Sequence, residues 1–73
     1  MTEIVYVMNP WTGIYHATTR KDVTPEKLAA VAALMEDDIR EELHREFLDD
    51  SFAFWAAYVN RVGLEEAGKI WFS

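Results

Sequence analysis

Glu41 and His44 form an E-x-x-H pair, with Asp37 one helical turn earlier. Residues three or four apart share a helix face, so the three side chains would project together, at the spacing that ferritin-like di-metal bundles use. Such a centre needs two of these pairs and two further glutamates, and this chain has one pair, so a second copy would have to supply the rest. The H-E-x-x-H pattern of zinc proteases is absent, and there is no cysteine to furnish a thiolate ligand or a disulfide. His16 falls in a β-rich stretch with no serine or cysteine beside it to activate, and Gly13, Gly63 and Gly68 are too dispersed for a phosphate loop. Carboxylate pairs are plentiful, but acid–base catalysis needs a pocket that shifts a pKa, and 73 residues enclose little interior. These residues predict a protein that is not an enzyme, with no metal site and no cofactor.

The chemistry that remains is charge. EDDIREELHREFLDD, residues 36–50, holds eight of the thirteen acidic side chains: Glu36, Asp37, Asp38, Glu41, Glu42, Glu46, Asp49 and Asp50. Against Arg40 and Arg45 they leave −6, the whole net charge of the chain. Glu36 with Arg40 and Glu41 with Arg45 are favourable i, i+4 pairs. Asp37 with Glu41, Asp38 with Glu42 and Glu42 with Glu46 are like-charged at the same spacing and oppose the helix by similar amounts. A purely structural helix would do better with interleaved lysine. On a continuous helix rising ~1.5 Å per residue, six net charges over fifteen residues stand about one per 3.7 Å, near the ~3.4 Å of one DNA strand. Two readings stay open: a solvated helix face, or a surface that docks on a basic partner.

The elements that must position this window follow from local pattern. Ile4 to Met8 and Ile14 to Thr19 are rich in β-branched and aromatic residues, and NPWTG between them is a turn cluster. The stretch predicts a hairpin with Trp11 at its tip, exposed or tucked onto the sheet. Thr24, Pro25 and Glu26 then supply a cap, a first-turn proline and a first-turn acid. Leu28, Val31, Met35, Ile39, Leu43 and Phe47 follow at steps of three or four, predicting one apolar stripe and a helix from Pro25 to about residue 48, roughly 35 Å long unless it breaks.

Asp49, Asp50 or Ser51 can cap a second helix that stops at Gly63. It is apolar on two sides, with Phe52, Trp55, Val59 and Val62 on one and Phe54 and Tyr58 on the other. Either it is sandwiched, or one face is left for a partner. LEEA adds a turn of helix, and KIWFS predicts a short third strand. The expected fold is α+β, in the order β-β-α-α-β: a small antiparallel sheet of the hairpin and the C-terminal strand, packed with two helices.

A chain of 73 residues makes one domain, burying only about 60% of its unfolded surface. It opens TEIVYVMN, with no basic leader and no apolar run near the length of a signal or membrane segment. A cytoplasmic protein without membrane contact is expected. Phosphate neutralisation needs clustered Lys and Arg, and the only adjacent basic pair is Arg20 and Lys21. Direct nucleic-acid binding is therefore not expected, and a basic protein surface is.

In size, charge and element pattern, a tiny cysteine-free acidic α+β chain with a concentrated carboxylate surface resembles the small phage-encoded anti-CRISPR proteins, several kinds of which are DNA mimics. The resemblance implies a non-catalytic inhibitor, acting in the host cytoplasm, that blocks target DNA binding by a CRISPR effector complex. Glu36, Asp37, Asp38, Glu41, Glu42, Glu46, Asp49 and Asp50 would then stand in for phosphates. Two alternatives fit the same residues. One is an antitoxin-like or accessory protein that neutralises a basic partner. The other is a structural homo-oligomer joined through the aromatic residues Phe54, Tyr58 and Trp71, with Trp11 as a further exposed contact. Monomer and homodimer are both open.

Overall fold

The computed structural model describes residues 3–73. It is an α+β globule in the order β1 (Ile4–Met8), β2 (Tyr15–Thr19), α1 (Pro25–Ala32), α2 (Asp37–Glu46), α3 (Ser51–Val62) and α4 (Leu64–Trp71). β1 and β2 pair antiparallel, with Val5 opposite Thr18, Tyr6 opposite Ala17 and Val7 opposite His16. The two-residue period of a strand turns Val5, Val7 and Thr18 inward and leaves Ile4, Tyr6 and Tyr15 toward solvent. The hairpin reverses through Asn9–Gly13, where the Gly13 amide donates to the Asn9 carbonyl (2.7 Å) and the Asn9 side chain accepts from the Trp11 amide (2.9 Å). Trp11 sits at the tip, 68% exposed.

α1 starts as its residues dictate: Thr24 accepts from the Lys27 amide at 3.1 Å, with Pro25 in the first turn. It does not run on to residue 48. Leu34 and Met35 donate to the carbonyls three residues back, tightening the last turn, and Glu36 is extended at φ −63, ψ 141. The expected single helix is thus two, α1 and α2. The reason is packing: a rod of roughly 35 Å would overrun a molecule measuring 32 × 30 × 20 Å, carrying half of its apolar stripe past the core. Breaking at residues 33–36 lets Val31, Met35 and Leu43 all be buried, with Leu28 and Ile39 half-buried against the same cluster.

Asp50, of the three possible caps, starts α3, its side chain accepting from the Ala53 amide at 3.0 Å. α3 packs against α1, α2, α4 and β1 and is the sandwiched helix, with Phe52, Phe54, Trp55, Tyr58 and Val59 buried on both of its apolar sides. Gly63 ends it at φ +97, ψ 164, a backbone region that is essentially glycine's alone, and α4 follows at once.

α4 replaces the expected C-terminal strand. Ile70, Trp71 and Phe72 have β character locally, but Ala67, Gly68 and Trp71 share a helix side that packs on β1 and α3. Helical spacing lets that side bury Ala67 completely, whereas a strand would have turned alternate residues to solvent. The sheet therefore has two strands only, among the described residues. Lys27 fastens the far end of α4, donating to the Trp71 carbonyl at 3.0 Å with its ammonium 4.6 Å from the centre of the Trp71 ring.

The core is one cluster around Trp55, which is fully buried and lies 4.9 Å from the Trp71 ring. Its indole N–H donates to the Thr18 hydroxyl (3.1 Å), which donates in turn to the Val5 carbonyl (2.5 Å). A buried polar relay thus joins α3 to both strands. No helix among the described residues is long and apolar enough to cross a membrane.

Candidate functional site

α2 presents the acidic window. Its buried anchor is Leu43, with Ile39 and Phe47 half-buried beside it. At about 3.6 residues per turn, Asp37, Asp38 and Glu41 fall on the opposite half of the cylinder, with Glu42 at its margin and Glu46 flanking the Leu43 side, and all five are exposed. Asp37 and Asp38 lie in the first turn and His44 and Arg45 in the last, the arrangement that the helix dipole favours. Part of the charge is therefore explained by the helix itself.

The cations go elsewhere than i, i+4 spacing predicts. Arg40 reaches back to Asp37 (2.5 Å) and to the Ala32 carbonyl (3.3 Å), not to Glu36. Arg61 of α3 pairs with Glu42. Arg20 at the end of the hairpin bridges Glu3 and Asp50. Asp50 is half-buried and is an element of structure: the Ala53 N–H and then Arg20 hold its carboxyl below the usual carboxylate value, and its partial burial opposes them only in part. It lies apart from the rest in role.

Glu36, Asp38, Glu41, Glu46 and Asp49 remain exposed and without an ion-pair partner among the described residues, as does Arg45. These five carboxylates and one guanidinium leave −4 unneutralised. α2 alone carries five acids and two arginines, a charge of −3. Ten residues span ~15 Å, so its charges average about one per 5 Å, wider than the ~3.4 Å of one DNA strand. The break before Glu36 and the end of α2 at Glu46 shorten the expected line of charge to a ten-residue helix with Glu36 and Asp49 flanking it.

Glu41 and His44 line a groove of about 440 Å³ between α1, α2 and α3, whose apolar walls include Leu28, Ala32, Phe47, Leu48 and Phe54. Arg40 is the third polar side chain of the helix there. Among the described residues, no group of three or more His, Asp or Glu converges as metal ligands would. His16 lies against Phe72, ring centres 4.8 Å apart, remote from this groove.

The aromatic residues of the homo-oligomer reading do not form a surface. Phe54 and Tyr58 are buried inside the monomer, and Trp71 is half-buried between Trp55 and Lys27. Burial, with the carboxylates of Glu66 and Glu36 nearby, pushes the Tyr58 phenol above its ordinary pKa. Only Trp11 of the four is well exposed. The aromatics that do reach solvent are on the hairpin, Tyr6 and Tyr15, and strict alternation in IVYVM was the signal that could have found Tyr6.

No protein-family model matches the chain, and neither a curated protein nor a solved structure is significantly similar to it.

Proposed function

We propose that the chain is a non-catalytic inhibitor that docks through the acidic patch of α2 on a basic, nucleic-acid-binding surface of another protein. One observation carries this reading: among the described residues Glu36, Asp38, Glu41, Glu46 and Asp49 are exposed and unpaired, while Arg20, Arg40 and Arg61 are all engaged with other acids. The fold meets Asp37 and Glu42 with Arg40 and Arg61 and leaves those five carboxylates to water or to a partner. The patch offers separate carboxylates to Lys and Arg side chains, each contact charge-assisted. It does not copy the even spacing of a strand. The likeness to small acidic phage inhibitors makes the DNA-binding channel of a CRISPR effector complex, in the host cytoplasm, the first surface to test.

The test is binding of a labelled target duplex by guide-loaded effector complexes of several types, with the protein added. Glu41→Lys, Glu46→Lys and Asp49→Lys together move the local charge from −6 to 0 and touch no ion pair or helix cap. The parent should displace the duplex, less so as salt rises, because exposed charges are screened within ~8 Å at physiological ionic strength. The triple variant should fold as well and inhibit at least about tenfold less, the equivalent of ~1.4 kcal/mol. Equal inhibition by the variant, or no effect of the parent on any effector, would refute the proposal.

A further inference from the structure

The hairpin is covered on one side only. Val5, Val7 and Thr18 face the helices, while the other side of the sheet carries three directly opposed pairs, Ile4–Thr19, Tyr6–Ala17 and Met8–Tyr15. None of these six residues is charged, in a chain of which 27% is. Ile4, Tyr6 and Tyr15 are 45%, 53% and 60% exposed. Ile4 and Tyr6 also reach the β1 edge, where they line a shallow groove with Leu64 of α4 and Ala56 and Asn60 of α3.

We infer that this sheet face is a self-association surface and that its occupant is the same face of a second copy of the chain. Three observations point to a copy. The first is area. Aromatic side chains carry 150–250 Å² each, so at these exposures the face offers roughly 450 Å², within the 300–600 Å² typical of the largest apolar patch on a monomer, which is often functional. Two such faces bury at most about 900 Å² together, below the ~1,200 Å² of standard interfaces and in the range of weak, transient association.

The second is charge. Two molecules of net charge −6 repel, but residues 3–22 set Glu3 and Asp22 against Arg20 and Lys21 and are neutral. The acidic helix α2 packs on α3, and α3 packs on β1, so the copies would meet away from α2, where Glu65, Glu66 and Lys69 of α4 add only −1. The third is shape. A two-fold contact requires that where residue i meets j, j also meets i. Tyr6 stands directly opposite Ala17 on its own sheet, a large side chain beside a small one. A two-fold axis running parallel to the strands between β1 and β2 would set Tyr6 of each copy over Ala17 of the other, with the same two residues forming bump and hollow. The dimer holds its two α2 patches away from the joint, so the inference does not depend on what they bind.

Sedimentation equilibrium of the whole chain from about 10 µM to 1 mM, the range suited to a small interface, is the experiment. The average mass should climb from 8.5 kDa toward twice that value. Ala17→Arg and, separately, Tyr6→Lys place a charge on the face and should weaken association at least about tenfold, with far-UV circular dichroism unchanged. Leu48→Lys, an exposed apolar residue outside the hairpin, should associate as the parent does. A parent that stays at 8.5 kDa throughout overturns the inference. So does a dimer that survives both face substitutions, which would place the contact elsewhere, for example along the β2 edge.

Discussion

Gly68 is where α4 crosses β1, and it offers a test in which two effects of one substitution have opposite signs. In an isolated helix, glycine to alanine stabilises by about 1 kcal/mol. Here a Cβ on Gly68 would stand 1.7 Å from the Met8 carbonyl oxygen and 2.7 Å from its carbon. Carbon and oxygen do not ordinarily approach closer than about 3.3 Å, so α4 would have to retreat by roughly 1.6 Å. The obstacle is backbone, which cannot rotate aside.

A gap of 0.5–1 Å already forfeits a quarter to a half of a dispersion contact, and the retreat would open one beneath Ala67, which is fully buried. That places the cost at the upper end of the ~1–3 kcal/mol typical of overpacking. After the gain in helix propensity, the net loss for Gly68→Ala is about 2 kcal/mol. For a domain of this size 1 kcal/mol shifts Tm by about 4–8 °C, so the melt followed by circular dichroism at 222 nm should fall by roughly 10 °C. Glu65→Ala, exposed one turn earlier, should stay within about 0.5 kcal/mol of the parent. A Gly68→Ala protein that melts at the parental temperature or above would refute the close approach of α4 to β1.

The relay from Trp55 through Thr18 to Val5 gives a second expectation. Thr18→Val keeps the shape but leaves the buried indole N–H without an acceptor, at a cost of about 1–3 kcal/mol, seen as a lower urea midpoint at unchanged m-value; Thr18→Ser, which keeps the hydroxyl, should lose less, and equal losses would argue against the relay. A third concerns acid. The Asp50 carboxyl is held below its ordinary value of 3.8, first by the Ala53 N–H, and that of Asp22 first by the Thr19 N–H. A lowered folded-state pKa means that the unfolded chain binds more protons, so this stability is fully present above the unfolded value and is lost as pH falls through the folded one. Asp50→Asn still caps α3 but cannot titrate, and its stability should fall less steeply below pH ~4 than the parent's; identical acid profiles would contradict the assignment.

Where the chain announces its own structure, it does so with local chemistry. The alternation of Ile4–Met8, the Pro10 to Gly13 turn, the Thr24–Pro25–Glu26 start and the Asp50 and Gly63 ends of α3 are all present in the structure, because each depends on neighbours in sequence. The break at residues 33–36 contains neither glycine nor proline. It exists because both halves of the stripe must reach α3, a requirement invisible from within the helix. The first turn of α4 is helical as LEEA predicts, and its second half is helix in place of the expected strand for the same reason, since burial of Ala67 and Gly68 against β1 outweighs the β character of Ile70 and Trp71. At the candidate site the charge was legible and its pairing was not. Arg61 and Arg20, which engage Glu42 and Asp50, come from 19 and 30 residues away, beyond any i, i+4 rule. Phe54 and Tyr58 made a plausible interface only until the elements covering α3 were known.

The three tryptophans sit at three depths, Trp11 at 68% exposure on the hairpin tip, Trp71 half-buried beneath Lys27, and Trp55 at 0% in the centre of the core. The molecule therefore carries its own set of optical reporters, graded from solvent to interior. Red-edge emission that iodide quenches belongs to Trp11 and follows events at the hairpin tip. Blue-shifted emission that iodide cannot reach belongs to Trp55 and follows only the loss of the core. A Trp11→Phe protein would leave an emission spectrum whose every change reports on how α3 and α4 hold together, and the difference between it and the parent would report the hairpin alone.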